Sequence, residues 1–170
     1  MTSRKRKSPP APPEPLDARA TRVTALDALA RRDHSSADLR RKLLARGFDA
    51  DLVGSVLNGL AAERLVDDNR YVENFVGSRA RRGHGPNRVR ADLLRAGLAG
   101  ALVEEALCAY PDWLVQLQTA RRKRFGSKPA AGNAAKLREI RFLGYRGFTS
   151  DQIRLALGFD TDIESEDESL

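Results

Sequence analysis

Three short segments decide the fold: Arg46-Gly47-Phe48, Ala96-Gly97-Leu98 and Arg146-Gly147-Phe148. Their glycines stand fifty residues apart, and the flanks keep the same interval. Leu43, Leu93 and Leu143 lie four residues before each glycine, whereas Val53, Val103 and Ile153 lie six after. Val56, Ala106 and Ala156 follow at nine, and Leu57, Leu107 and Leu157 at ten. Spacings of three and four on both sides of a glycine describe two amphipathic helices broken by one turn. Their recurrence at a fixed period describes a tandem repeat.

Each end of the turn has a physical reading. Gly47, Gly97 and Gly147 suit the left-handed residue that ends many helices, because glycine carries no Cβ to clash there. Phe48, Leu98 and Phe148 follow as apolar residues that can staple the next helix. In the third copy Thr149 is an N-cap, Gln152 completes a capping box and Phe148 reaches Ile153. Asp49 is the cap in the first copy. Ala99 holds that place in the second and caps poorly, so the second turn is expected to be the weakest.

Working outward, the chain reads as an all-α fold of three tandem three-helix repeats, helix-turn-helix-like units in an elongated curved array. The boundaries are 24–66, 67–111 and 112–158, with a disordered basic, proline-rich arm at 1–23 and a disordered acidic tail at 159–170.

In the first repeat, a helix from about Thr24 to Asp33 turns Leu26, Leu29 and Ala30 inward. A second, capped by Ser35 or Ser36, buries Leu39, Leu43 and Leu44. A third, about Ala50 to Arg64, buries Leu52, Val53, Val56, Leu57 and Leu60. Asp67-Asp68 is a further capping signal.

In the second repeat, a helix from about Asn69 to Arg82 carries Tyr71, Phe75 and Val76 inward. Gly83-His84-Gly85-Pro86 breaks it, and Pro86 fits the first turn of the next helix, which buries Val89, Leu93 and Leu94. A helix from Ala101 to Tyr110 follows.

The third repeat opens with Asp112 as a cap and Trp113, Leu114 and Leu117 on a buried face. A helix from about Ala130 to Tyr145 uses Leu137, Ile140 and Leu143, and a short one runs from Ser150 to Leu157. Here the register slips, because Glu139 stands where Leu39 and Val89 stood. Three small helices bury little area alone, so each repeat is expected to lean on its neighbours.

Charge points to a partner. The 170 residues carry a formal charge of +7 with a pI near 10.1. The acidic residues of 160–170 leave the helical middle more basic than that total, and such a surface implies a polyanion or an acidic protein. No stretch approaches a membrane span, and no apolar segment follows the basic N-terminus as a secretory signal would require. Cys108 is the only cysteine, which leaves no disulfide framework and no cysteine-based zinc site. A reducing cytoplasm is the expected compartment.

Catalysis needs converging polar groups, and the sequence offers no such set. His34 and His84, the only histidines, read as solvated helix-end and turn residues. Cys108, beside Leu107, reads as a small buried hydrophobe. Gly83-x-Gly85 lacks the strand and lysine of a phosphate loop and reads as a helix break. No catalytic residue, metal or cofactor is expected.

The basic clusters carry the functional signal. Arg79, Arg81, Arg82, Arg88 and Arg90 bracket the Gly83–Pro86 turn. Arg121, Arg122, Lys123 and Arg124 end the first helix of the next repeat at a corresponding place. One patch per repeat makes a basic stripe, suited to a long polyanionic or acidic surface. No aromatic residues interleave with it, so base stacking is not indicated. Two other readings stay open: an independent helix-turn-helix-like DNA-binding protein, and a helical scaffold whose basic face is incidental.

The run Ser36-Ala37-Asp38-Leu39-Arg40-Arg41-Lys42-Leu43, the segment Leu65-Val66-Asp67-Asp68-Asn69-Arg70-Tyr71, the segment from Arg79 to Arg90 and the run Arg141-Phe142-Leu143-Gly144-Tyr145-Arg146-Gly147-Phe148 together resemble the RecX family, regulators of the RecA recombinase. The likeness covers about residues 24–158. It implies a non-enzymatic, monomeric protein that docks in the groove of the RecA–DNA filament. By opposing filament growth, such a protein reduces strand exchange, ATP hydrolysis and coprotease activity. DNA would be touched weakly or through RecA. The residues expected to meet the filament are Arg40, Arg41, Arg79, Arg81, Arg82, Arg88, Arg90, Arg121, Arg122, Lys123 and Arg124.

Overall fold

The computed structural model describes residues 18–158. Among them are nine α-helices and no strand, arranged as three tandem three-helix repeats. The chain falls into two compact units divided between Asp67 and Asp68. The expected disorder of residues 1–17 and 159–170 lies outside the described residues.

The first unit holds α1 (Ala18–Arg31), α2 (Ser36–Ala45) and α3 (Ala50–Ala62), with all three helices in mutual contact. Its core is Ala25, Leu39, Leu43, Phe48, Val53, Val56, Leu57, Leu60 and Val66. Two caps start the inner helices. Ser35 Oγ accepts the Asp38 N–H at 3.1 Å, and the Asp49 carboxylate accepts those of Asp51 and Leu52 at 2.9 and 3.1 Å. Helix α1 begins six residues before the expected Thr24, so Ala18–Val23 belong to it and not to an arm. Its buried positions are Thr21 and Ala25, one turn apart, while Ala30 is exposed.

The second unit holds two repeats on one core. These are α4 (Asp68–Arg81), α5 (Pro86–Arg95) and α6 (Gly100–Ala109), then α7 (Trp113–Phe125), α8 (Asn133–Tyr145) and α9 (Ser150–Leu157). Val72, Val76, Ala80, Val89, Leu93, Val103 and Leu107 of the former are continuous with Trp113, Leu117, Ala120, Leu143, Phe148 and Ile153 of the latter. Trp113 sits at the junction, its indole N–H donating to the Leu107 carbonyl at 3.0 Å and its ring 4.8 Å from that of Tyr110.

All three glycine turns close in the same way. Phe48, Leu98 and Phe148 donate their N–H groups back to Leu43, Leu93 and Leu143 at 3.3, 3.3 and 3.1 Å, and each glycine donates to the carbonyl three residues before it. With φ of 87°, 89° and 90°, the three glycines are the left-handed residues of Schellman motifs. Thr149 and Gln152 form the expected capping box, and Ala99 caps nothing.

Several expected side chains turn elsewhere. Leu44, Leu94 and Leu137 are exposed; the first two are the residues immediately after a core leucine, about 100° further around the helix. Cys108, next to Leu107, is exposed for the same reason. Asp112 occupies an N-cap position with φ −100° and ψ 24°, and its carboxylate makes no capping bond. His34 is buried, not solvated, with Nδ1 on the Asp38 carboxylate and Nε2 3.2 Å from Lys42 Nζ. His84 is half-buried.

The slipped register at Glu139 has a structural resolution. Glu139 is 3% exposed in the place of Leu39 and Val89, and Arg121 meets it with two bonds of 2.7 and 3.1 Å. A buried carboxylate needs such a partner.

Candidate polyanion-binding cleft

Within the second unit, the ends of α4, α7 and α8 enclose a cleft of about 190 Å³. Five cations line it: Arg81 from α4 and Arg82 from the turn after it, Lys123 and Arg124 from α7, and Arg146 from the turn after α8. No carboxylate does. Basic residues in a last helical turn complement the partly negative C-terminal end of the helix dipole, and five such side chains around one concavity exceed that need, so their positive fields add there.

Local packing explains the convergence. Gly83 ends the turn after α4 at φ 78°, and a Cβ there would lie 3.1 Å from that of Ala120 on α7. Glycine therefore lets α4 approach α7. Phe142 on α8 meets Phe125 edge-on, with centroids 5.3 Å apart. The guanidinium groups of Arg146 and Arg124 lie over these rings, 5.1 Å from Phe142 and 5.5 Å from Phe125. Each cation is held against an aromatic face without being neutralised. Arg146 also donates to the Arg82 carbonyl at 3.4 Å.

The remaining predicted basic residues are placed differently. Arg79 lies over Phe75 at 4.8 Å and 3.8 Å from Asp92. Arg90 forks onto Glu104 at 2.5 and 2.9 Å, a hydrogen bond that holds the Glu104 carboxyl below its usual range. Arg121 is taken up by Glu139 and by the Lys128 carbonyl at 2.9 Å. Arg88 and Arg122 are exposed outside the cleft lining, and Arg40 and Arg41 belong to the first unit, where Arg41 pairs with Asp38. Of the predicted set, the cleft gathers Arg81, Arg82, Lys123 and Arg124. It adds Arg146, whose place in sequence marks only a turn.

His84 lies at the edge of this basic region. Its Nδ1 is buried without a partner. Burial first, and then Arg88, Arg79 and Arg146, push its imidazole below the ordinary range, against a smaller opposite pull from Asp92.

Among the described residues no group of three His, Cys, Asp or Glu is arranged to hold a metal ion, and no helix is long and apolar enough to cross a membrane. The architecture and the cleft define a class: a tandem three-helix-repeat protein that presents a preformed cationic concavity. Family profiles then make the assignment specific. Those described as the first, second and third three-helix domains of RecX match residues 22–60, 67–107 and 112–157. The chain belongs to the RecX family.

Relatives agree with this. Regulatory protein RecX of Halorhodospira halophila is 44% identical over 138 residues, spanning 81% of this chain and 86% of the relative. That of Pseudomonas fluorescens SBW25 is 40% identical over 146 residues, spanning 84% and 94%. The crystal structure of RecX from Lactobacillus salivarius superposes with a TM-score of 0.74 at 20% identity, over 83% of this chain and 94% of that one. A second RecX crystal structure gives 0.71 at 19% identity, over 84% and 73%. At those identities the structures speak to the fold.

Proposed function

We propose that this chain is a regulator of the RecA recombinase, a non-enzymatic cytoplasmic protein that docks in the groove of the RecA–DNA filament and opposes its growth. The observation that carries the reading is the acid-free cleft of Arg81, Arg82, Lys123, Arg124 and Arg146 in a member of the RecX family. Five unneutralised cations on rigid helix ends suit a partner that presents many negative charges on a fixed surface. Filament carboxylates or DNA phosphates supply them, and reduced strand exchange, ATP hydrolysis and coprotease activity follow from a blocked filament. Arg88 and Arg122 extend the contact beyond the cleft, and Arg40 offers a separate one on the first unit.

An independent helix-turn-helix reader of duplex DNA is the weaker reading. The helix after each glycine turn would enter the groove, and these helices lack the charge for it. Helix α3 carries only Asp51, α6 carries Glu104 and Glu105, and α9 carries Asp151 with Arg154. The first two would be repelled by phosphates, and α9, with no net charge, would gain nothing from them.

The test is RecA ATPase on single-stranded DNA with this protein added well below one copy per RecA protomer. Activity should fall, and the Arg81→Glu/Arg82→Glu variant should lose most of the effect while keeping its helical circular dichroism. Undiminished inhibition by that variant would remove the cleft from the contact. An unaffected ATPase, with sequence-preferring duplex binding by the wild-type chain, would favour the independent DNA reader.

A further inference from the structure

The first repeat carries a concavity that the filament reading does not use. It lies between α1 and α2, has a volume of about 410 Å³, and is wholly within the first unit. Four cations line it, Arg31, Arg32, Lys42 and Arg46, against one carboxylate, Asp27. Its apolar floor includes Ala28, Leu39 and Leu43. That size is within the range of small-molecule sites, which run from about 300 to 1,000 Å³.

The cations are organised from behind. Asp38 is nearly buried and touches Arg32 at 3.3 Å, Lys42 at 3.8 Å, and both Arg41 and His34. His34 links Asp38 to Lys42: its Nδ1 meets the Asp38 carboxylate and its Nε2 lies 3.2 Å from Lys42 Nζ. The Lys42 ammonium carries three N–H donors, so donors remain for a ligand. The imidazole is a strut between Asp38 and the lysine.

The first and second repeats differ in charge at the places that line this concavity. Arg31-Arg32-x-His34 recurs fifty residues later as Arg81-Arg82-x-His84, and in both repeats the two arginines line a concavity. Lys42, however, corresponds to Asp92, which in the second repeat pairs with Arg79 at 3.8 Å. Arg46 corresponds to Ala96. The first repeat has thus two cations where the second has an acid and an alanine.

We propose that this concavity binds a small organic phosphate of the nucleoside diphosphate class. Arg32 and Lys42 share Asp38 behind them, so the four cations against Asp27 and Asp38 leave an excess of about two positive charges, the scale of a diphosphate, and arginine forks fit phosphate oxygens in pairs. A single carboxylate ligand would leave part of that excess unmatched. The apolar floor accepts the organic part of the ligand.

The probe is ADP, titrated without magnesium into the full-length protein and followed by two-dimensional amide NMR. Shifts should saturate and centre on residues 24–46. Adenosine, which lacks the phosphates, should give none. Arg31→Glu/Arg46→Glu should weaken binding about tenfold or more, the scale of a lost charge-assisted hydrogen bond. Should that variant unfold, Lys42→Gln answers the same question and should weaken binding several-fold. Arg81→Glu/Arg82→Glu, which breaks the cleft of the second unit, should bind ADP as wild type does. Shifts centred on the second unit, no saturable shift, adenosine binding as well as ADP, or affinity unchanged by the first-repeat variants would each overturn the proposal. None of these outcomes bears on RecA inhibition, so the two readings fail separately.

Discussion

Gly85 donates its backbone N–H to the carbonyl of Arg146 at 2.8 Å, across sixty-one residues of sequence. Two residues on, Asn87 donates to Gly147 at 2.9 Å. The N-terminus of α5 is thereby satisfied by the turn after α8, where a side-chain cap would ordinarily serve. The two backbones are so close that a Cβ on Gly85 would lie 2.2 Å from the Phe148 nitrogen. One turn of the second repeat is stapled to the glycine turn of the third.

Gly85→Ala should therefore cost about 3 kcal/mol or more, since the obstacle is backbone and cannot rotate away. Thermal unfolding measures the loss, and the Gly85 and Asn87 amides should lose their protection from hydrogen exchange. Gly54→Ala is the control: it lies inside α3 with nothing within 4 Å of the added Cβ, and should stabilise by about 0.5–1 kcal/mol. Equal effects of the two substitutions would contradict the staple.

The three turn glycines are alike in φ but not in surroundings. A Cβ on Gly47 meets nothing within 4 Å, while one on Gly147 would lie 2.5 Å from Arg88 Cβ and 2.6 Å from its nitrogen. Gly47→Ala should cost about 1–2 kcal/mol from backbone strain alone. Gly147→Ala should cost clearly more, read as a larger drop in melting temperature.

The Arg121–Glu139 pair sets a different test, because both side chains are largely withdrawn from water, 14% and 4% exposed. Removing one partner strands a buried charge, so Arg121→Leu alone should destabilise by about 3–5 kcal/mol. Arg121→Leu/Glu139→Leu restores the apolar register of Leu39 and Val89 and should recover most of that loss. A double variant as unstable as the single, in chemical denaturation, would show that the pair has a role beyond filling the position.

Arg64 is the one non-glycine among the described residues with a positive φ, 57°. It ends α3 in the same motif as the glycine turns, with Leu65 donating back to Leu60 at 2.9 Å. Arg64→Gly should relieve strain and raise the unfolding free energy by up to about 1 kcal/mol, net of the entropy glycine adds to the unfolded chain. A lower melting temperature would mean that the arginine side chain contributes more than its backbone costs.

Asp38 and His84 are two partly buried groups that shape the acid limb of stability. Asp38 is opposed by burial, the largest single influence, yet the His34 hydrogen bond and the charges of Lys42, His34 and Arg32 together hold its carboxyl below the usual range. A depressed carboxyl stabilises fully above its unfolded value, about 3.9, and that stability is lost as pH falls through the lower folded value. His84 is also depressed, so the unfolded chain takes up its proton first as pH drops below about 6.5. Stability should decline from there in a first step, and the Asp38 step should follow at lower pH. His84→Gln should remove the upper step alone in urea titrations run between pH 7 and pH 4.

What the sequence determined is whatever closes within about six residues. The Schellman turns at Gly47, Gly97 and Gly147, the Asp49 cap and the Thr149–Gln152 box all satisfy backbone groups locally, so residue type and spacing suffice to read them. The leucines at 43, 93 and 143 follow from the same period. The tertiary structure alone decided what long-range contact controls. Glu139 is buried because Arg121 reaches it from another helix. Arg146 joins the cleft because its turn is stapled to Gly85, a contact with no local signature. An arginine beside a turn looks the same in sequence whether it faces solvent or completes a cationic cleft. Its role depends on which helix end the fold sets against it, since Coulombic fields and packing add through space rather than along the chain.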